Sequence, residues 1–109
     1  MAQDFKRYTK NEVGTVVVDI PAADFDSNDA IVGIHIANIV TSSIAVDVYI
    51  NDGTSNIYLV KDAPIPPGSS LQILDGGAKV VVQNGDQMHI KSDTASSADV
   101  WVSVVDDIS

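Results

Sequence analysis

The chain is 109 residues long, carries fifteen acidic residues against six basic ones for a formal charge of −9, and has no cysteine. That length predicts one domain. The missing cysteines exclude disulfides, thiolate metal sites and a cysteine nucleophile, and the acidic balance argues against a nucleic-acid-binding body.

The first segment, MAQDFKRYTKNEV, holds Lys6, Arg7 and Lys10, so residues 1–12 sum to +1 and residues 13–109 to −10. It lacks the apolar stretch of a signal peptide, and nothing in the chain approaches the length of an apolar membrane span. The expectation is a soluble protein with no membrane partner. Residues 1–13 are read as an arm able to reach a neighbour, with Phe5 and Tyr8 as apolar anchors and the three cations meeting acidic surfaces. Residues 14–109 are read as the folded domain.

Period-2 alternation then predicts strands near 15–20, 30–40, 44–51, 56–60, 70–74, 78–83, 87–92 and 98–105. In IAVDVYIN, Ile44, Val46, Val48 and Ile50 fall on one face and Ala45, Asp47, Tyr49 and Asn51 on the other, which no helical period matches. Fourteen of the fifteen acids are aspartate. This residue favours turns through local hydrogen bonds, whereas helical proteins carry glutamate on their solvent faces. About eight short strands with close turns predict an all-β fold, an antiparallel β-sandwich of jelly-roll or immunoglobulin-like type. Pro64, Pro66 and Pro67 predict a crossover between sheets. The segments Asp75–Gly76–Gly77 and Asn84–Gly85–Asp86 predict tight hairpin turns.

Three strands read as apolar on both faces: VVV at 16–18, VVV at 80–82 and VWVSVV at 100–105. An ordinary sandwich strand shows one face to water, and exposed apolar patches mark interfaces. The candidate interface residues are therefore Phe5, Arg7, Tyr8, Val81, Trp101, Val102 and Val104, and the expectation is a homo-oligomer.

The segment YLVKDAPIPPGSSLQILDGGAKVVVQNGDQMHIKSDTASSADVWVSVVD, within residues 57–107, resembles small virion structural proteins of tailed bacteriophages, of the marine and cyanobacterial type. The resemblance rests on a strand, a Pro/Gly turn before SSLQIL, a KVVVQNGDQMHIKS hairpin and a closing ADVWVSVVDD strand. It implies a non-enzymatic particle component, a head decoration, neck or tail part made in the host cytoplasm and resident in the virion. Its implied partners are other virion proteins and copies of itself in a trimer or hexamer.

No motif carries chemistry. DFDSND at 24–29 starts as a calcium loop does, with Asp24, Asp26 and Asn28 alternating, but Asp29 stands where the turn needs glycine and His35 where glutamate belongs; a solvated acidic loop is expected. His35 and His89 are read as surface or interface residues, not metal ligands. No strained elbow presents a serine nucleophile, and DGG and NGD lack the helix N-terminus of a phosphate site. The expectation is no enzyme, no cofactor and no metal. The alternative function is a carbohydrate- or receptor-binding module, with Trp101 or Tyr58 as the stacking ring.

Overall fold

A computed structural model of the chain describes residues 4–20, 28–74 and 79–106. Among these, nine strands form two antiparallel sheets: β1 (Asp4–Val13), β2 (Val18–Asp19), β3 (Asp29–Asn38), β4 (Ile44–Asn51), β5 (Asn56–Ile65), β6 (Ser70–Leu74), β7 (Val80–Val82), β8 (Gln87–Ser92) and β9 (Ala98–Asp106). The first sheet runs β1-β9-β3-β6, with β7 also pairing β3; the second runs β2-β8-β4-β5. β1 therefore pairs with β9, β2 with β8, β3 with β6 and β4 with β5. A chain doubled on itself and wrapped into two layers gives this nesting, so the sandwich is a jelly roll, with β7 as an addition.

Alternation builds the core. Ile44, Val46, Val48 and Ile50 of β4, Met88 and Ile90 of β8, Ile31, Ile34 and Ile36 of β3, and Val100, Val102 and Val104 of β9 are all buried between the sheets. Each inward row is β-branched or long and apolar, the side-chain type that fills a pleated, half-buried surface. The outward residues of β9 are Trp101, Ser103 and Val105, so VWVSVV alternates in space although it reads as two-sided. Val102 and Val104, expected at an interface, are core residues at 0% and 1% exposure. The same correction applies elsewhere: Val82 is buried while Val81 is exposed, and Val16 and Val17 lie in an exposed connection, with strand structure only at β2.

The expected arm is not free. Residues 4–13 form β1, an edge strand in register with β9 from Asp4 opposite Asp106 to Val13 opposite Ala98. Phe5, Arg7 and Thr9 point outward, and Tyr8 packs partly buried against the core. Unmet backbone hydrogen-bonding groups along β9 draw the segment in. Pro64 lies inside β5, which is tolerated because β5 is an edge strand with β4 as its partner. The expected crossover is present at Pro66–Gly68, where Ser69 N donates to Pro66 O at 3.1 Å and the chain passes from the second sheet to the first.

The NGD turn is tight, with Gly85 at φ 95 and Asp86 N donating to Gln83 O at 3.0 Å. However, β7 belongs to the first sheet and β8 to the second, so the expected hairpin is instead a link between layers. The DGG turn and Asp24 and Asp26 lie outside the described residues.

Two polar clasps join the layers at the ends. Buried Asn38 donates through Nδ2 to Ser42 O at 2.8 Å and to Ile65 O at 2.9 Å, and accepts from Val40 N at 2.9 Å. The other clasp is Ser92 Oγ and Ser97 Oγ, 2.5 Å apart, with Ser97 N donating to Val13 O and Ser92 N to Gly14 O, each at 2.9 Å.

Candidate functional site

With the interior filled by side chains, the surfaces that remain for function are the outer faces of the two sheets and the sheet edges. The pairing register places the outer face of the first sheet residue by residue. One row crosses Thr9, Trp101, His35 and Gln72; the next in one direction holds Arg7, Ser103 and Gly33, and beyond it Phe5, Val105, Ala30 and Val81. In the other direction come Asp99, Ala37 and Ser70, and then Ile39, whose N–H donates to Ser97 O at 2.9 Å.

In a chain that is 19% charged, the described centre of this face carries Arg7 and Asp99, with Glu12 beside Asp99 in the bulge of β1 and Lys10 at the rim. Its exposed large side chains are Phe5, Val81, Trp101 and Ile39, with Phe5 at 86% and Trp101 at 50%. The Arg7 guanidinium lies 5.2 Å from the centre of the Trp101 ring, a cation–π contact worth about 0.5–1 kcal/mol at an exposed site. Loss of charge from the centre of a face, with Trp and Arg paired within it, is the composition of interface cores and hot spots. A shallow cleft of about 460 Å³, lined by Thr9, Lys10, Asn11, Asp99, Val100 and Trp101, flanks the ring. Asp99 Oδ1 also accepts the Glu12 N–H at 3.0 Å, where β1 bulges and Glu12 takes φ 54.

The second sheet's outer face differs in kind. Asp19, His89, Tyr49 and Tyr58 lie in one row across β2, β8, β4 and β5. His89 Nδ1 donates to the Asp19 carboxylate at 2.6 Å. The Tyr49 ring centre lies 5.1 Å from His89 and 4.8 Å from Tyr58, and Lys61 Nζ sits 4.8 Å over Tyr58. Burial, then the neighbouring Tyr58, Asp47 and Asp19, holds the Tyr49 phenol above its ordinary value. Such cross-strand pairs stabilise a sheet, and Tyr58 remains 42% exposed.

Carboxylates on this side cap backbone. Asp47 Oδ1 accepts from Asp62 N at 2.7 Å where β5 bulges at φ 51. Asp93 Oδ1 accepts from Ala45 N at 3.0 Å and Thr94 Oγ1 at 2.9 Å, and that bonding, led by the Ala45 N–H, lowers the Asp93 carboxyl. Asp47, Asp62, Asp93 and Lys91 line a cavity of about 160 Å³, and among the described residues no group of three His, Asp or Glu is arranged to hold a metal ion. His35, bonded through Nδ1 to Gln72 Nε2 at 3.3 Å, lies on the opposite outer face from His89, so the two histidines cannot share a ligand.

Among the described strands, the β1 edge of the first sheet and the β5 edge of the second are guarded. β1 carries Lys6, Arg7 and Lys10, and β5 carries Lys61, Pro64 and the bulge at Asp62, all devices that discourage strand addition. Of the residues expected at an interface, Phe5, Arg7, Val81 and Trp101 share the outer face of the first sheet; Tyr8, Val102 and Val104 point the other way. Ile39, Val105 and Asp99 belong to the same face and were not anticipated, because only the register brings them there. The chain matches no protein-family model and no curated protein sequence.

Proposed function

We propose that this protein is a non-enzymatic structural component of a tailed-bacteriophage virion, a head decoration, neck or tail part. It assembles through the outer face of its first sheet with copies of itself, in a trimer or hexamer, and with other particle proteins. The observation that carries the assembly reading is the charge-poor face centred on Trp101 and Arg7. Burying its exposed rings and aliphatic groups yields about 25 cal/mol per Å², and many copies on a shell or ring add avidity. The phage assignment is supported by the resemblance within residues 57–107. The acidic body suits a place outside the packaged DNA.

The test is made on virions purified from infected cells that produce the chain. Mass spectrometry should find it in many copies per particle, and Trp101→Asp should abolish its incorporation without altering the fold seen by circular dichroism. Absence from particles, or unimpaired incorporation of Trp101→Asp, overturns the reading.

Jelly rolls serve lectins as well as capsids, and one observation favours carbohydrate or receptor binding: the exposed Tyr58 stacked on Tyr49. In that reading a glycan array gives hits that Tyr58→Ala removes. Trp101 is the second candidate platform; each ring has a cation over it, Arg7 at 5.2 Å from Trp101 and Lys61 at 4.8 Å from Tyr58.

A further inference from the structure

We infer that the outer face of the first sheet pairs with the same face of a second copy, about a two-fold axis that runs across the strands along the row Thr9, Trp101, His35 and Gln72. This rests on the assembly reading above and names its partner and geometry.

The argument begins from charge. Two bodies at −9 each repel, so a chain meets itself only through a surface of little net charge. This face supplies that, with Arg7 and Lys10 set against Asp99 and Glu12. Their positions matter more than their number. Arg7 is opposite Ser103, two residues along β9 from Trp101 on one side, and Asp99 is two residues from Trp101 on the other. At about 3.4 Å per residue, each lies about 7 Å from the Trp101 row.

A half-turn about that row exchanges the two directions along the strands. It carries Arg7 of the second copy to the level of Glu12 on β1 and of Asp99 one strand away, both within reach of a guanidinium on a flexible stem. The reciprocal contact forms as well, as an isologous interface requires. The same operation brings the Phe5, Val105 and Val81 row of one copy to the level of Ile39 and sets Trp101 against Trp101 near the axis. A two-fold axis parallel to the strands fails on the same count. It leaves Arg7 at its own level over the β6 and β7 side of the sheet, where, among the described residues of those strands, the nearest outward ones are Gln72 and Val81, one row away on either side, and neither is a carboxylate. Small residues at Gly33, Ala37, Ser70 and Ser103 leave room for close approach, and the charged β1 edge disfavours side-by-side pairing there.

Such a pair is a dimer, or the repeating unit of a hexamer made from three pairs; a cyclic trimer contains no two-fold contact. The chain has no cysteine, so single thiols report the geometry directly. Every residue on the axis row meets its own copy, so Thr9→Cys should be joined into covalent dimers by a bismaleimide of about 10 Å, the spacing of face-packed sheets. Lys61→Cys, on the opposite sheet, should not. In light scattering with dilution, Arg7→Asp and Asp99→Arg should each weaken association about tenfold or more, and the double exchange should restore it. Thermal melts identify any loss caused by unfolding, since Asp99 also accepts the Glu12 N–H.

Cross-linking at Thr9 together with rescue by the double exchange supports the pair. A protein that stays monomeric into the high-micromolar range, or that associates without cross-linking at Thr9 or without rescue, overturns it. Neither of those results touches particle incorporation, which the virion experiment reads separately.

Discussion

Replacing Asn38 by alanine tests how the two layers are held at one end. Asn38 ends β3 in the first sheet, yet its amide bonds to the Ile65 carbonyl at the end of β5 in the second and to Ser42 and Val40 in the connection between them. Alanine removes three hydrogen bonds at about 1 kcal/mol each, the one to Ile65 O buried and the other two part-buried, for a cost of about 3 kcal/mol. For a domain whose total stability is about 5–15 kcal/mol, that lowers the melting temperature by roughly 12–24 °C. It moves the urea midpoint by about 2 M if the slope is about 1.5 kcal/mol per M. Asn38→Asp discriminates further. It keeps the acceptor for Val40 but turns an oxygen toward two carbonyls, so at neutral pH it should be less stable than the alanine variant. It should recover in acid, where the protonated carboxyl donates to one of them. Equilibrium urea unfolding followed by fluorescence and circular dichroism gives both numbers. An alanine variant within about 1 kcal/mol of the parent would refute the view that this clasp joins the layers.

Val102→Ala should cost about 2 kcal/mol in urea unfolding, two methyl groups at about 0.8 kcal/mol each plus a small cavity, while leaving the association state unchanged. For Tyr49 the raised phenol pKa means that folding favours the protonated ring. Stability is therefore retained below the ordinary phenol range and falls as pH rises through it, and Tyr49→Phe should flatten that alkaline decline in pH-dependent melts. Gly14→Ala would place a methyl 3.0 Å from Ser96 N and 3.3 Å from Ala95 Cα, so the 93–97 connection must shift, at about 1–3 kcal/mol. Gly85→Ala meets nothing within 4 Å and should lose only the left-handed backbone penalty, about 1–2 kcal/mol; equal sensitivity to added bulk at both sites, on extending alanine to valine, would contradict the close approach at Gly14.

Where one face is apolar and the other polar, the sequence was enough: 44–51, 70–74 and 87–92 are strands with the expected limits. β1 was hidden because DFKRYTKNEV carries Lys6 and Lys10 on its inward side, at a sheet edge where their stems can run out to water. Only Tyr8 and Val13 mark that side as inward. In VWVSVV the outward residues include a tryptophan and a valine, so the strand reads as greasy on both sides, although three of its valines fill an ordinary core. Pro64 was read into the crossover with Pro66 and Pro67 because a proline inside a strand is acceptable only at an edge, and edges cannot be seen before strand order is known. Half of the candidate face was legible as exposed apolar residues. Its organisation was not, since Arg7 meets Trp101 only through pairing between the two ends of the chain.

That pairing also sets the order in which the molecule can be finished. β9 lies between β1 and β3, so the central ladder of one layer is closed by the ninth strand in sequence, and a ribosome that has delivered β1 to β8 has made two unmated borders. β1, with its lysines, and β3, which has none, must wait for a late arrival to slide between them. Folding of this kind is paced by long-range closure on a timescale of roughly milliseconds to seconds. A chain cut just before β9 leaves no small defect at one end but a sheet parted down its middle.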